Sequence, residues 1–422
     1  MMMMSERIAV IGAGINGVFS AYYLSTSGYD VTLFDRGDID SGTSGRFHGM
    51  LHSGARYATN DPISAKECIT ENRRISGIAG RFVEDTGGYF IAANEEEAQF
   101  GDDLYEACRR VGIDISELPL DDFVKNNPKL SRSRRVMMVP DKVIRSYEFV
   151  VTVAAAAHLA GTKIRTFSDV KRIEIDGDSV SGIEYERAGK MATEKFDMVI
   201  NATGPFSGKI LEQSGLDQTP VMPSAGVMVV LEGQVSRSII NRMREPSDAD
   251  ILLPYWNNSI LGTSAVVVED PDQFRPEMED IQMMIDDMAD LIPEVKNMKI
   301  RRYYYSVRPL VEEESEDSRT ASRSFRIVSQ EGLNDTLLSV VGGKFTTGRL
   351  VGEEIARRII EHYGTGRNLK DPDIDGTIET FEERYSRDPV MARSMSRRGT
   401  IDEEYAGIAE AYAISAIIGG ER

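Results

Sequence analysis

The opening of the chain switches between two hydrophobic periods. Ile8 to Ile11 is a continuous apolar run ending at Gly12, the pattern of a strand buried on both faces. Val18, Ala21, Tyr22 and Leu24 then recur at helical spacing until Gly28 breaks the register. Val31 to Phe34 is a second short apolar run, closing on Asp35. This order predicts one complete βαβ unit.

Past Asn60 the pattern is helical through Glu84, then mixes strands and helices to about Pro140. A helix of small residues is predicted from Ser146 to Ala160. Ile164, Val170, Ile173, Ile175, Val180 and Ile183 mark short strands joined by polar turns such as Asp176-Gly177-Asp178. Asp197 to Ile200 is another buried strand, leading into Asn201-Ala202-Thr203-Gly204. From Pro223 to about Leu310 the chain is strand-rich, with Gly226–Leu231 and Ile260–Val268 separated by a charged connection and followed by a helix from Met278 to Leu291. Leu337 to Val341 is a last buried strand, and Gly342-Gly343-Lys344 opens a helix running to about Tyr363. Beyond Lys370 two helices are predicted, near Ile378–Arg387 and Asp402–Ile418. There is no internal repeat.

Nucleotide-type βα units thus recur at the start, the middle and near the end. This predicts an α/β architecture with a discontinuous Rossmann-like domain (1–84, 141–220 and 311–369). An inserted strand-rich α+β domain (85–140 and 221–310) would carry the substrate, and 370–422 would form a short helical C-terminal tail.

At 422 residues the chain is longer than one core usually supports, which agrees with two packed domains. A net charge of −19 repels nucleic acid and anionic lipid, and no basic stripe offsets it. The acidic runs Glu95–Glu97 and Glu312–Glu314 read as solvated faces. Cys68 and Cys108 are too few for an iron–sulfur cluster or a cysteine-rich zinc site, so no metal is expected and a reducing cytoplasm fits. The run Val150–Ala157 is far short of a spanning helix, and Met1–Met4 has no hydrophobic segment or cleavage site behind it. The expectation is a soluble protein, or one held only peripherally at a membrane.

Gly12-Ala-Gly14-Ile-Asn-Gly17 fits G-x-G-x-x-G, and Asp35 ends the next strand 23 positions after Gly12. Gly12 permits the tight turn, Gly14 lets a pyrophosphate approach the backbone, and Gly17 lets helix and strand pack closely. The helix N-terminus offers N–H groups to phosphates, and Asp35 can accept from a ribose. A return to the sheet at Asn201–Gly204 is more typical of FAD enzymes than of nicotinamide dehydrogenases.

Ser44-Gly-Arg-Phe-His-Gly-Met-Leu-His-Ser-Gly-Ala-Arg-Tyr57 holds two of the four histidines among several glycines. It makes a poor core element and a good loop around a flat ring. His48 suits that role or a structural hydrogen bond equally well, whereas His52 suits the ring-side role better than the structural one. Arg308, just after Tyr303–Tyr305, needs an anionic partner if buried, either a bound phosphate or carboxylate or a structural acid. Lys344 stands at a helix start, where a cation is unfavourable unless an anion sits there. The same helix end would favour negative charge on a reduced flavin.

These segments together resemble the FAD-dependent glycerol-3-phosphate dehydrogenases, within the D-amino-acid-oxidase-like flavoproteins. The likeness is to the catalytic subunit of the anaerobic, quinone-linked type and spans about the first 365 residues. It rests on Gly45–Tyr57, on Asn241-Arg-Met-Arg-Glu-Pro-Ser-Asp-Ala-Asp-Ile-Leu-Leu-Pro254, and on Gly262-Thr263, Val307–Leu310 and Gly342–Lys344. The resemblance implies non-covalent FAD, with Gly12, Gly14, Gly17 and Asp35 on its ADP half and Ser44, Gly45, His48 and Gly49 beside its flavin. Arg36, Val170, Ala202, Gly204, Gly343, Lys344 and Phe345 complete the cofactor set. Arg56, Lys344 and Thr263 would bind substrate, Arg308 would steady the alkoxide over the reacting carbon, and His52 and Tyr57 are candidates for taking the hydroxyl proton. The implied reaction is hydride transfer from sn-glycerol-3-phosphate to FAD, giving dihydroxyacetone phosphate, with electrons passed to a quinone or a partner protein.

Two departures qualify this. Ala225-Gly226 stands where the family usually has Lys-Gly, and Met228 where some members place a histidine. The cysteine-rich C-terminal extension common in the anaerobic type is also missing, so such an electron relay is expected on another polypeptide. Two further readings remain: a 2-hydroxy-acid or amino-acid oxidase or dehydrogenase of the same fold, and a flavin-binding electron-transfer protein without turnover of its own.

Overall fold

The computed structural model describes residues 6–217, 219, 221–311, 324–364, 368–397 and 403–419. The Met1–Met4 and Glu312–Glu314 runs lie outside the described residues.

A six-stranded sheet runs in the order Phe325–Ser329, Leu337–Gly342, Met198–Asn201, Arg7–Ile11, Asp30–Phe34, Lys163–Arg165. All neighbours are parallel except the first pair. Ile8 to Ile11 is buried because both faces of this sheet are covered. On one face Val10, Leu33 and Ile200 pack beneath the helices Ile15–Thr26, Ser146–Leu159 and Gly348–Tyr363 and the tail helices. On the other, Ala9, Phe34 and Val199 meet the antiparallel meander Ser168–Asp176, Ser179–Arg187, Lys190–Lys195. The strands come from the beginning, middle and end of the chain, as the recurring βα pattern predicts.

A nine-stranded sheet is built around Val221–Glu232, which pairs with Ile300–Val311 over its whole length. The chain stretch 88–139 adds strands Gly88–Ala92 and Arg135–Val139 to this sheet. Its core uses Val227, Val229 and Leu261 against Ile281, Met284, Ile285 and Met288 of helix Met278–Met288. Those four share one helical face by their i, i+3, i+4, i+7 spacing. The fold is thus a Rossmann-like α/β unit of discontinuous chain, joined to a strand-rich α+β part and capped by C-terminal helices.

Four local readings need correction. The helix after Asn60 stops at Ala79, not Glu84, because Gly80 turns the chain with φ 41°. The charged connection before Ile260 contains two strands, Ile239–Arg242 and Ile251–Tyr255. Asn241 and Arg242 are both buried there, so polar residues interrupt the apolar run that would have marked a strand. Among its described residues the tail holds three helices, Ile374–Tyr385, Pro389–Met395 and Glu403–Ile418, the short middle one started by Pro389 behind an Asp388 cap. Gly343-Lys344 leads first into one 3-10 turn, Phe345–Thr347, and only then into the helix.

Candidate active site

One cavity of about 1050 Å³ lies between the two sheets. That is the upper end of the range for drug-sized ligands, as a dinucleotide plus a small substrate would require.

One end is the glycine turn. Gly12 has φ 105°, and a Cβ there would stand 2.5 Å from the carbonyl oxygen of Ala202. A Cβ on Gly17 would overlap the carbonyl oxygen of Gly12. Only glycine closes this turn. Helix Ile15–Thr26 begins with no acidic side chain in its first turn and no side-chain cap of its own, and Ser44 Oγ accepts the N–H of Ile15 at 3.1 Å. The Asp35 carboxylate takes the N–H of Ala13 at 2.7 Å and that of Gly37 at 2.8 Å. Each oxygen keeps a further lone pair for a ribose hydroxyl. Burial raises the Asp35 pKa, and the two N–H donors oppose that shift. The turn, helix end and carboxylate fit the ADP half of FAD.

Of the expected cofactor residues, Gly12, Gly14, Asp35, Arg36, Ser44, His48, Val170, Ala202, Gly204, Gly343, Lys344 and Phe345 line the cavity. Gly17, Gly45 and Gly49 do not. Gly17 sits behind the turn, and Gly45 packs against the backbone of Asp40. Gly49 lies in the turn after His48, with φ 89°. The Arg36 guanidinium is engaged by Asp272 in a two-pronged pair (2.9 and 2.8 Å) and stacks 4.0 Å over the Phe206 ring. Asp272 belongs to a strap, residues 263–277, that touches the cavity at Thr263 and Ala265 and again at Pro271 and Asp272.

At the other end the loop 43–57 folds into the wall. Thr43 Oγ1 donates to the carbonyl of Val307 at 2.6 Å, fixing the loop to the long strand that carries Arg308. Phe47 stacks on Phe345, with centroids 4.6 Å apart at 15°. His48 Nδ1 accepts the N–H of Met50 at 3.1 Å, which places the ring proton on Nε2. Burial, aided by Arg308 and Arg56, pushes the His48 pKa down to about 3, so the ring stays neutral. His52 lies 5.5 Å from the Tyr57 ring, centroid to centroid, and 5.6 Å from His48.

Three cations converge here. Arg308 Nη2 donates to Thr263 Oγ1 at 2.5 Å and to the carbonyl of Ser264 at 3.1 Å. Lys344 Nζ stands 4.9 Å over the Tyr57 ring, a cation–π contact. Arg56 Nη2 donates to Asp250 at 2.5 Å and to the carbonyl of Ser247 at 3.1 Å, and its Nη1 is buried in the wall with no hydrogen-bond partner among the described residues. A buried donor of that kind calls for an acceptor. The six expected catalytic and substrate residues, Arg308, His52, Tyr57, Arg56, Lys344 and Thr263, all line this end.

Sequence reasoning missed the acids behind the site. Asp141 accepts the N–H of Ser53 at 2.7 Å and faces Asn241, and burial pushes its pKa up to about 6. Asp250 holds Arg56. Asn241 and Asp250 sit in the Asn241–Pro254 stretch, whose density of charge was the available signal; Asp141 had none.

The profile of FAD dependent oxidoreductases (DAO) matches residues 7–358. The chain is 33% identical over 425 residues to the A1 subunit of the anaerobic glycerol-3-phosphate dehydrogenase of Haloferax volcanii, spanning 95% of this chain and 72% of that protein. It is 30% identical over 379 residues to the A subunit of the Escherichia coli K12 enzyme of the same name, spanning 88% and 70%. Among solved structures, L-alpha-glycerophosphate oxidase from Mycoplasma pneumoniae with FAD bound superposes with a TM-score of 0.69 over 88% of this chain and 97% of that one, at 16% identity. L-proline dehydrogenase from P. horikoshii gives 0.69 over 87% and 96%, at 20% identity. Among the described residues no helix is long and apolar enough to cross a membrane. The chain belongs to the DAO family of FAD dependent oxidoreductases, in which it stands with the A subunits of anaerobic glycerol-3-phosphate dehydrogenases.

Proposed function

We propose that the protein oxidises sn-glycerol-3-phosphate to dihydroxyacetone phosphate. The observation that carries this reading is the convergence of Arg56, Arg308 and Lys344 on one end of the cavity, with a buried Arg56 nitrogen lacking an acceptor. Relatives named for this substrate support it.

FAD, when bound, supplies the two-electron acceptor for the hydride of the alcohol carbon. Gly12, Gly14, Asp35, Ala202 and Gly204 would hold its ADP half, and Ser44, His48, Gly343 and Phe345 its ring. Arg56 and Lys344 bind the phosphate, and their charge on a buried wall favours an anion over a neutral polyol. Arg308, oriented by Thr263, sets its guanidinium against the reacting oxygen and stabilises negative charge there. His52, beside Tyr57, takes the hydroxyl proton. Neutral His48 adds no further cation, and its Nε2–H is left as a hydrogen-bond donor. The electrons pass on to a quinone or a partner protein, and relatives named as A subunits support a partner subunit.

The test is an anaerobic titration of the purified flavoprotein with sn-glycerol-3-phosphate, following the oxidised-flavin absorbance. Stoichiometric bleaching is expected. No bleaching in protein shown to contain FAD overturns the assignment, and the same titration with 2-hydroxyglutarate and amino acids then tests the carboxylate-binding reading of Arg308.

A further inference from the structure

The stretch from Asn241 to Asp250 carries more charge than the cavity uses. Asp250 does not line the cavity and is fully buried, yet both of its oxygens are engaged. Oδ2 accepts from Arg56 Nη2 and from the N–H of Ser247, each at 2.5 Å. Oδ1 accepts from Arg244 Nε at 2.7 Å. Arg244 in turn reaches Asp287, near the end of helix Met278–Met288, at 2.6 Å. One carboxylate is therefore shared by two guanidiniums, and only one of these, Arg56, belongs to the cavity wall.

We infer that Asp250 is the positioning residue of the anion subsite. It pins Arg56 by one nitrogen, Nη2, and leaves Nη1 without a partner in the wall. Arg244 draws part of the Asp250 charge away, so Arg56 is held in place without being neutralised. The geometry separates two roles by sign. Removing a negative charge beside Arg56 would tighten anion binding if Asp250 mattered only through its field. It weakens binding if Asp250 matters by orienting Arg56. This inference rests on the reading of Arg56 as a phosphate ligand.

The experiment uses the FAD-loaded protein and the variants Asp250→Asn and Arg244→Met, with Asp250→Glu as the charge-conserving check. Inorganic phosphate affinity is measured by flavin-absorbance perturbation, and KM and kcat for sn-glycerol-3-phosphate with a dye acceptor. Asp250→Asn is expected to weaken phosphate binding and raise KM about tenfold, with kcat changed by less than about twofold. Arg244→Met leaves Asp250 to Arg56 alone, neutralising it more fully, and is expected to weaken phosphate binding about threefold. Unchanged or tighter phosphate binding in Asp250→Asn overturns the proposal. If that variant loses its FAD or its fold, Asp250→Glu, which keeps the charge and moves the carboxylate, decides, and unchanged affinity there overturns the proposal instead. A wild type that binds phosphate but is not bleached by sn-glycerol-3-phosphate refutes the functional reading while the phosphate arms still judge Asp250. A wild type that does not bind phosphate overturns the Asp250 proposal, while bleaching by sn-glycerol-3-phosphate alone judges the functional reading.

Discussion

The guanidinium of Arg308 occupies the space that a side chain at Gly226 would take. A Cβ built on Gly226 would overlap Nη2 and stand 2.8 Å from Cζ, and it would lie 2.9 Å from the backbone oxygen of Ser264. The strand pairing places Gly226 opposite Ser306, two positions before Arg308. Gly226→Ala is therefore expected to displace Arg308 and lower kcat/KM by about 100-fold, the usual penalty for misplacing a reacting group by about 1 Å. Thermal stability should change far less. Steady-state kinetics beside a melting curve check this; unchanged kcat/KM would remove Arg308 from the reacting centre.

Gly17 and Gly77 make opposite predictions for the same substitution. Alanine at Gly17 overlaps the carbonyl of Gly12 and should abolish FAD retention, measured as the flavin-to-protein absorbance ratio. Gly77 is exposed within helix Pro62–Ala79, and a Cβ there meets nothing within 4 Å. Gly77→Ala should stabilise the protein by about 0.5–1 kcal/mol, since alanine is the better helix former.

Asp141 should make folding stability fall as pH rises. Its folded pKa, about 6, is above the ordinary 3.8 because it is buried. Between those two values the native state holds a proton that the unfolded state has lost. Its favourable contribution is thus complete below about pH 4 and lost through about pH 6, on the order of 3 kcal/mol in all. Asp141→Asn should flatten this component. Denaturant midpoints of both proteins at about pH 5 and about pH 7.5 check it, with a constant difference counting against the assignment.

Arg349 ties the end of the chain to its beginning. It is fully buried, pairs with Glu71 through two bonds of 2.7 Å, and also contacts Glu353, Tyr23 and Asp371. Tyr23 donates to Asp371 at 2.5 Å as well. Arg349→Met strands Glu71 without its partner and should cost about 3–5 kcal/mol. The double variant with Glu71→Met should recover part of that loss. Additive losses in a denaturation cycle would show that the two do not act as a pair.

What the amino-acid order discloses here is mostly local. The unit from Ile8 to Asp35 is legible because glycine spacing and hydrophobic period act over a few residues. The loop from Ser44 to Tyr57 stands out because histidines among glycines suit no core. Asp141 is invisible by comparison, since its partner Ser53 lies 88 residues away and nothing near it announces a pairing. Asp250 stands in a visibly charged stretch beside Arg244, but nothing there points to Arg56, 194 residues away. The strands around Asn241 and Asp250 are hidden for the same reason, because buried charge that is satisfied only in the folded state interrupts the apolar pattern. Arg36 is read from the sequence as a cofactor residue, and only the fold reveals that Asp272, 236 residues away, pairs with it.

That last pair ties down the strap across the nucleotide end of the cavity. Arg36 and Asp272 are both about half exposed, so water and dissolved ions reach their bond freely. Lys209 and Asp270, 3.9 Å apart where the same strap passes, are similarly placed. The grip on the nucleotide therefore depends on the medium as well as on the pocket. Strand pairing at Val266 and Val267 holds the middle of the strap whatever the salt, so it is the stretch around Asp270 and Asp272 that brine would loosen, and flavin dissociation should be faster at high salt.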